Sequence, residues 1–378
     1  MIARFFLGVG LCALMLVSSF GTYMYLGGRH SKVASPAEKP TAVSPRATAF
    51  RLPGTIYLAQ SGAIYSLSVG RFHQLTPQEG WMQPSVYPDG NYILAVKRND
   101  FYSDVYALGR FGQVVRQWTN NAGRLNDTTS QHWSFYPRLS ADENTLWMSY
   151  DEPKFGYDAL FSIWAMPLGG SIRQARLWTN SNDYTGGDIG PIPLATGGIM
   201  YTKYSYGPDG NRIGQIWLTT RPAAQGIEGR PLTSPEEDCM EPSISPDGKL
   251  VAMICTYEKQ ISQLTLATWN GSSLGPRSAV ITDQLVAQPA WAPDGSGIAY
   301  LAPGSANGPF QLWFLPKERY APPPPSPTPV PTPTPGGPYN GTLPSPTPAP
   351  PVTPPVIKPI QITANSGFDA TSPISWAG

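Results

Sequence analysis

The chain has 378 residues, a formal net charge of +1 and 13% charged residues, against 41% hydrophobic ones. Such a balance provides no extended basic surface, so it argues against nucleic acid as a partner. The length is ample for a domain with a large hydrophobic core.

The chain opens with an apolar segment. Residues 5–26 carry no charge, and Arg4 precedes them. Twenty-two residues are enough to span the hydrocarbon core of a bilayer, and they exceed the apolar core of an ordinary signal peptide. We therefore predict that residues 1–32 are a signal anchor with a single transmembrane helix. The alternative is a secretory peptide cleaved after a small pair such as Ser19 and Gly21.

A tether follows the apolar segment. Residues 33–50 are rich in Pro, Ala and Ser and lack any core-forming pattern, which predicts a disordered linker. A membrane helix, a tether and a domain rich in Thr, Asn and Gln predict a single-pass protein of the cytoplasmic membrane. Its folded part would lie on the extracytoplasmic, periplasmic side, or be secreted if the N-terminal segment is cleaved.

Beyond residue 54 the dominant feature is a phrase that returns about every fifty residues. In its full form, Pro-Asp-Gly begins four residues after a leading proline. The full copies are Gln83–Gly90, Glu241–Gly248 and Gln288–Gly295. Weaker copies begin at Tyr136 and Gly190, and a truncated copy occupies Ser372–Gly378. A period of this size indicates stacked supersecondary units.

Each unit has the pattern of four antiparallel strands. Pro-Asp-Gly is typical of a tight turn in which proline presets φ, aspartate caps the turn and glycine takes a positive φ. Apolar runs such as Leu250–Ile254 predict a buried second strand, and aromatic runs such as Phe310–Phe314 predict a third. Leu-Thr or Trp-Thr pairs such as Trp118-Thr119 would end the fourth. Since helix periodicity is lacking after residue 50, the pattern predicts an all-β propeller.

The phrase also carries a family resemblance. Pro-x-x-Ser-Pro-Asp-Gly-Lys, complete at residues 242–249 and followed by an apolar strand, resembles the WD40-like (PD40) repeat of the TolB family. The resemblance covers roughly residues 54–320 and 360–378, and it implies a six-bladed propeller and an exported protein. The chain lacks the Gly-His and Trp-Asp pairs of true WD40 repeats. Residues 140–147 lack the glycine of the sialidase Asp-box.

The sixth blade is split between distant parts of the sequence. Residues 54–77 supply three strands without a first one, and residues 372–378 supply a first strand with nothing after it. We predict that these fragments share one blade and close the ring, which removes free sheet edges. The alternative is that residues 372–378 are a frayed tail.

A proline-rich tract interrupts the last complete blade. Residues 321–359 hold 18 of the chain's 43 prolines, a composition that cannot build a strand ladder and favours polyproline II. We predict a disordered insertion between the third and fourth strands of this blade. The propeller would then comprise residues 51–320 and 360–378.

Two cysteines fall within the propeller. If Ser245 pairs with Lys249 around the hairpin, the same register sets Cys239 opposite Cys255. Facing residues on paired strands are close enough for a disulfide, which forms in an oxidising compartment. The alternative is a pair of buried free thiols.

The residues offer little catalytic chemistry. His73 and His132 fall on different predicted blades, with no cysteine or acidic cluster at metal-ligand spacing, and no nucleophile elbow or phosphate loop occurs. We predict a non-enzyme without metal or cofactor that acts as a protein-interaction or cell-envelope binding module. The alternatives are a propeller enzyme or glycan-processing protein with an unrecognised acidic site, and the sensor ectodomain of a signalling complex.

The candidate binding face is the one formed by the connections that lead into the first strands, where a propeller channel opens. Acidic residues on these connections could form a ring that binds a cation or a basic partner. The alternative is that each one only stabilises its own turn. These residues are Glu79, Asp183, Asp188, Glu236, Glu237, Asp238, Asp283 and Asp369.

Overall fold

Six four-stranded antiparallel sheets follow one another along the chain. The structure is a computed structural model that describes residues 51–124, 127–152, 154, 160–182, 184–224, 229–257, 261–321 and 357–378. The predicted anchor and tether lie outside these residues, as do residues 322–356 of the predicted proline-rich insertion. Within the described ranges, no helix is long and apolar enough to cross a membrane.

The strands are numbered in chain order and grouped by blade. Blade 1 holds β1 (Thr55–Gln60), β2 (Ala63–Ser68) and β3 (Arg71–Gln74). Blade 2 holds β4 (Trp81–Val86), β5 (Tyr92–Arg98), β6 (Ser103–Gly109) and β7 (Val114–Gln117). Blade 3 holds β8 (Ser134–Leu139), β9 (Thr145–Tyr150), β10 (Ser162–Pro167) and β11 (Arg176–Leu177).

The second half of the ring repeats this plan. Blade 4 holds β12 (Asp188–Pro193), β13 (Ile199–Tyr206), β14 (Arg212–Thr219) and β15 (Arg230–Pro231). Blade 5 holds β16 (Cys239–Ile244), β17 (Leu250–Cys255), β18 (Gln263–Trp269) and β19 (Leu274–Ile281). Blade 6 holds β20 (Ala287–Trp291), β21 (Gly297–Pro303), β22 (Phe310–Pro316) and β23 (Ile360–Gln361), and β24 (Ser375–Ala377) follows. Short 3-10 helices lie at Thr128–Ser130, Ile172–Gln174, Pro235–Glu237 and Lys317–Arg319.

The ring is closed by pairing between the first and the last strand of the propeller in sequence. β24 pairs antiparallel with β1, with Ser375 opposite Tyr57, so blade 1 has the strand order β24-β1-β2-β3. The indole Nε1 of Trp376 also donates to the carbonyl oxygen of Pro53 at 2.6 Å. The predicted six-bladed propeller and its closure are both confirmed.

The Pro-Asp-Gly hairpins have the predicted geometry. Gly248 has a φ of 68°, and its N–H donates to the carbonyl oxygen of Ser245 at 2.8 Å. The carboxylate of Asp247 accepts from the N–H of Lys249 at 3.1 Å. Gly90 and Gly295 repeat the positive φ. Glycine adopts this conformation without a Cβ penalty, which is why the phrase ends on it.

The first strands of blades 2 to 6 each contain a β-bulge that the sequence analysis did not foresee. The residue before the leading proline adopts a left-handed φ, between 52° and 66°, and in every one of these strands the register with the second strand shifts beside it. These residues are Gln83, Tyr136, Gly190, Glu241 and Gln288. The proline itself is tolerated because the inner edge of a first strand has no partner strand to receive its missing N–H.

One such bulge corrects the register argument for the cysteines. The assumed pairing of Ser245 with Lys249 is wrong, since the backbone N–H of Ser245 donates to the carbonyl oxygen of Leu250 at 2.9 Å. Continued along the two strands, that register would leave Cys239 one residue away from facing Cys255. The bulge at Glu241 shifts the register by one residue, so Cys239 does face Cys255, and a disulfide joins them.

The Leu-Thr and Trp-Thr pairs lie just beyond the fourth strands rather than at their ends. In five blades, counting the Ile362-Thr363 pair of blade 6, the threonine hydroxyl accepts a hydrogen bond of 2.9 Å from a backbone N–H of the third strand, which continues the ladder after the fourth strand stops. These threonine clamps are Thr76, Thr119, Thr179, Thr233 and Thr363. They explain how fourth strands as short as two residues stay in place.

The hydrophobic cores lie between neighbouring sheets. Leu94 of blade 2 and Met148 of blade 3 share one cluster of fully buried side chains, and Leu264 and Ile298 join blades 5 and 6 in the same way. Ile56 belongs to the cluster that joins blades 1 and 6 across the closure. Residues 51–378 therefore form one compact unit, with the first strands around its axis.

Candidate functional site

A channel lies along the axis of the propeller and encloses about 780 Å³. Its wall consists chiefly of the first strands β4, β8, β12, β16, β20 and β24, together with loop residues such as Ala370 and Thr371. The wall continues to the Pro-Asp-Gly hairpin at Tyr87–Gly90. A cavity of this size is in the range that small-molecule sites occupy.

The bulge residues form a ring of hydrogen bonds around this channel. The hydroxyl of Ser372 accepts from the N–H of Gln83 at 2.7 Å, and the Oε1 of Gln83 accepts from the N–H of Tyr136 at 2.6 Å. These contacts join blades 1, 2 and 3. Ser372 and Gln83 are buried, and the left-handed residues Gln83 and Tyr136 both have their N–H groups satisfied by the preceding blade.

The ring continues on the other side of the channel. The Oγ1 of Thr202 accepts from the N–H of Glu241 at 3.2 Å. The two oxygens of Glu241 then accept from the N–H and the Nε2 of Gln288, at 2.6 and 2.8 Å. Gln288 Nε2 also donates to the carbonyl oxygen of Ala370 at 3.0 Å, which leads back to blade 1. Blades 4, 5, 6 and 1 are joined in this way.

Blade 4 is the exception in the ring, because its bulge residue is Gly190 and has no side chain to offer. Thr202, on the second strand of that blade, supplies the acceptor instead. Among the described residues, no hydrogen bond of this kind links Tyr136 with blade 4. The ring therefore spans five of the six blade boundaries.

Glu241 and Arg138, which carry opposite charges when ionised, both line the channel. Burial raises the pKa of Glu241 to about 7, although the N–H of Gln288 opposes the shift by stabilising the carboxylate. Burial lowers the pKa of Arg138 to about 10. Its guanidinium Nη1 donates to the hydroxyl of Ser85 at 3.0 Å. Within the described residues Arg138 has no carboxylate partner.

Apolar and aromatic side chains complete the wall. Trp291 and Trp376 line the channel from blades 6 and 1, and Ile192 and Ile244 line it from blades 4 and 5. The indole Nε1 of Trp291 donates to the carbonyl oxygen of Ser243 at 2.9 Å, which fixes that ring between two blades. The channel wall thus combines apolar side chains with fixed polar groups, as ligand sites do.

Three of the acidic residues predicted as a binding ring form ion pairs within the protein. Glu79 pairs with Lys97 at 2.8 Å, and Glu237 pairs with the Nε of Arg277 at 2.8 Å. Asp188 is fully buried, 3.5 Å from the ammonium group of Lys203.

The remaining predicted carboxylates vary in setting. Asp238 accepts from the N–H of Gly214 at 2.7 Å, and Asp369 accepts from the N–H of Thr371 at 2.9 Å. Hydrogen bonds lower the pKa of the exposed Glu236, and Asp283 is also exposed. Asp183 lies outside the described residues. The structure places Glu236, Glu237 and Asp238 on one short turn, and none of the seven described carboxylates lines the channel.

The loops that lead into the first strands and those between second and third strands share one end of the propeller, here called the top face. Five large apolar side chains are exposed on it, in blades 2, 4, 5 and 6. They are Phe101, Tyr184, Tyr206, Ile261 and Leu285. Tyr184 is 77% exposed, and its carbonyl oxygen accepts from the hydroxyl of Tyr206 at 2.8 Å.

His132 has acidic neighbours that its sequence context did not reveal. Its Nδ1 lies 3.0 Å from the buried carboxylate of Asp151, and its Nε2 lies 3.8 Å from Glu152. The pairing of β8 with β9 brings these residues together across nineteen positions. Among the described residues, no group of three or more His, Cys, Asp or Glu is placed to hold a metal ion.

Sequence reasoning missed the channel residues, although their signal lay in the repeated phrase. The residue before the leading proline is the bulge residue, and the residue after the proline is Arg138 in blade 3. Aligning the six phrases would have found Glu241 and Arg138 as their charged members at these two positions.

Comparison with known proteins supports the fold. No family model and no curated protein sequence matches the chain significantly. Among solved structures it is similar to TolB from Acinetobacter baumannii, with a TM-score of 0.52 and 15% identity over 71% of this chain and 63% of that one. The match thus spans less than two thirds of that TolB chain. At this identity the similarity concerns the fold alone, which is a TolB-like six-bladed β-propeller.

Two further structures match with lower scores. A putative TolB from Agrobacterium tumefaciens has a TM-score of 0.47 and 15% identity, over 71% of this chain and 87% of that one. A puromycin-hydrolyzing peptidase from Mycobacterium tuberculosis has a TM-score of 0.44 and 14% identity, over 71% of this chain and 46% of that one.

Proposed function

We propose that this propeller is an extracytoplasmic binding module, held at the cytoplasmic membrane by residues 1–32, that docks a protein or cell-envelope partner on its top face. The observation that carries the proposal is the set of exposed apolar side chains on that face. Five of the eleven large apolar side chains that are exposed among the described residues lie on this face, in four blades, and exposed apolar surface is typical of sites for macromolecular partners. The aromatic members, such as Phe101 and Tyr184, are of the kind enriched at interfaces.

Two features support the location. Residues 5–26 form an uncharged segment long enough to span a bilayer. The Cys239–Cys255 disulfide suits an oxidising compartment outside the cytoplasm, since disulfides are rare in reducing ones.

A binding role fits the channel chemistry better than a catalytic one. Both oxygens of Glu241 accept hydrogen bonds from Gln288, so this carboxyl bridges two blades. A general base needs a free oxygen directed at the proton that it removes. We therefore propose that the protein is not an enzyme.

Site-specific photocrosslinking tests the docking face. A photoreactive amino acid would replace Tyr184 or Phe101 in the full-length protein, expressed in its own host. The matched control is Val115 on β7, which is 51% exposed on the outer edge of blade 2, against 57% for Phe101. We expect a discrete adduct from the two top-face positions and none from position 115. Adducts of equal yield at position 115, or no adduct from the top face, would contradict the proposal.

Membrane attachment has a separate test. Full-length protein and a chain lacking residues 1–32 would be compared by alkaline carbonate extraction, with protease added to intact spheroplasts. We expect the full-length protein to stay with the membrane and to be digested from outside. Mass spectrometry of its N-terminus should recover residues 1–32. A mature chain that begins near residue 22 in the soluble fraction would rule out the anchor.

A further inference from the structure

Arg138 is an unusual residue for the wall of this channel. It is the residue after the leading proline in blade 3, and the corresponding residues of the other blades are uncharged. Those residues are Ser85, Ile192, Ser243, Ala290 and Ile374. The repeat itself therefore does not require a cation at this position, because five blades fold with small or aliphatic side chains there.

The charge of Arg138 is poorly compensated. A guanidinium has five N–H donors, and the one hydrogen bond of Arg138 to a described residue is to the neutral hydroxyl of Ser85, at 3.0 Å. The other two charged residues of the channel wall are Glu241, held by Gln288, and Asp89, held by Asn91. Neither forms an ion pair with Arg138 in the described structure. Burying a charge without a partner costs free energy, and the binding of an anion would offset that cost.

The surroundings define which anion fits. A guanidinium binds a carboxylate through two parallel hydrogen bonds. The channel has one such cation, and the carboxyl group of Glu241 lies in the same wall, so a ligand with a single negative charge is favoured over a dianion such as phosphate. Ile192 and Val86, on the blades that flank blade 3, are apolar, which favours a ligand with an apolar body.

We propose that the channel binds a small organic monocarboxylate, with its carboxylate on the guanidinium of Arg138 and its apolar body against the aliphatic and aromatic wall. The enclosed 780 Å³ is large enough for an acid of this kind. The inference is independent of a docked protein and of membrane attachment, because it concerns the interior of the ring rather than the top face.

Binding can be tested on the full-length protein in detergent. The probe is 3-phenylpropionate, with 3-phenylpropionamide as its neutral isostere and inorganic phosphate as the competing anion. Calorimetric titration should give saturable binding of the acid and binding of the amide at least tenfold weaker, with no competition by phosphate. Equal affinity for acid and amide, tighter binding of phosphate, or no saturation at millimolar acid would overturn the proposal.

Two variants separate a ligand-binding arginine from a structural one. Arg138→Met keeps a long apolar stem and removes the unpaired charge, and Arg71→Gln on the exposed strand β3 is the control. We expect Arg138→Met to melt no lower than the unliganded parent, because no ion pair is lost. The acid should raise the melting temperature of the parent and of Arg71→Gln, and should leave that of Arg138→Met unchanged. A lower melting point of Arg138→Met, or an unaltered response to the acid, would make Arg138 structural and refute the inference.

Discussion

At the scale of single residues, the bulge residues couple neighbouring blades at a local cost. A non-glycine residue in the left-handed region is strained by about 1–3 kcal/mol, and Gln83, Tyr136, Glu241 and Gln288 all adopt it. Each gains a hydrogen bond to its N–H from the preceding blade in return. Contacts between blades therefore maintain this strained backbone conformation. An isolated blade lacks these contacts, so we would not expect it to adopt the conformation.

Glu241 should make the stability of the propeller depend on pH. Its pKa rises from 4.5 to about 7 on folding, so the native state binds the proton more tightly than the unfolded chain does. The contribution to stability is complete below about pH 4.5 and is lost as the pH rises through about 7. At ~1.4 kcal/mol per pKa unit, the change in the free energy of unfolding is about 3 kcal/mol.

Urea denaturation of the parent and of Glu241→Gln between pH 4.5 and 7.5 measures this effect. The free energy of unfolding of the parent should fall relative to that of the variant across this range, since glutamine does not titrate. Glu318→Gln, at an exposed position, is the control and should follow the parent. Parallel curves for Glu241→Gln and the parent would mean that Glu241 is ionised throughout.

At the scale of elements, the threonine clamps hold the fourth strands to their blades. β15 has only two residues, and the buried hydroxyl of Thr233 accepts from the N–H of Ile216 at 2.9 Å just beyond it. Removing that acceptor leaves a buried N–H without a partner, which costs about 1–3 kcal/mol.

Thr233→Val and Thr233→Ser form the matched pair for this clamp. The valine variant keeps the shape and loses the hydroxyl, so we expect it to lower the free energy of unfolding by about 1–3 kcal/mol. The serine variant keeps the acceptor and should retain most of the parent stability. Equal losses in the two variants, measured by urea denaturation, would assign the effect to packing.

The disulfide is the second device at this scale. It links the start of β16 to the end of β17 across 16 residues, and both cysteines are fully buried. A loop of about this length is expected to gain about 3 kcal/mol from the bond. Cys239→Ala combined with Cys255→Ala should therefore melt at a lower temperature than the parent.

A reductant completes the disulfide experiment. Dithiothreitol should lower the melting temperature of the parent toward that of the double variant, and it should leave the double variant unchanged. If the reductant has no effect on the parent, and mass spectrometry finds two free thiols, the bond does not form in the purified protein.

At the scale of the whole molecule, stability depends on closure of the ring. β24 covers the inner edge of β1, and the hydroxyls of Ser372 and Ser375 accept from the N–H groups of Gln83 and Val86, at 2.7 and 2.9 Å. Deleting residues 372–378 should remove more than the ~2–4 kcal/mol of two buried hydrogen bonds, because strand pairing is lost as well.

Scanning calorimetry of this deletion checks the role of closure. Ser375→Ala is the partial control, and it should cost only about 1–2 kcal/mol because strand pairing remains. The deletion should melt lower and less cooperatively than Ser375→Ala. A melting transition equal to that of the parent would show that β24 contributes nothing to the ring.

Much of the fold was predictable because its determinants are local. Pro-Asp-Gly marks each hairpin through the backbone preferences of three adjacent residues, and counting the copies leads to six blades and the split one. The bulges were not predictable, since a residue before proline avoids the α region by itself. Gln83 and Glu241 adopt left-handed geometry only because another blade binds their N–H groups.

The same distinction holds for the candidate site. The place of the acidic residues on loops is visible in the sequence, but their pairing is not, because Lys97 and Arg277 reach Glu79 and Glu237 only in the folded protein. Arg138 was overlooked because an isolated arginine in a strand resembles any exposed one. Arg138 lines the channel only because the first strands of all six blades surround a common axis. The sequence of a single repeat does not reveal this arrangement.

The pairing of β24 with β1 also has a consequence for how the protein is made. A ribosome or a translocation channel delivers the chain from its N-terminus, so among the 24 strands of the described residues β1 emerges first and its partner β24 emerges last. During all of that time the inner edge of β1 remains open to water, to proteases and to other nascent chains. A chain that stops short of residue 375 therefore lacks the partner of β1 and keeps the inner edge of its first blade unpaired.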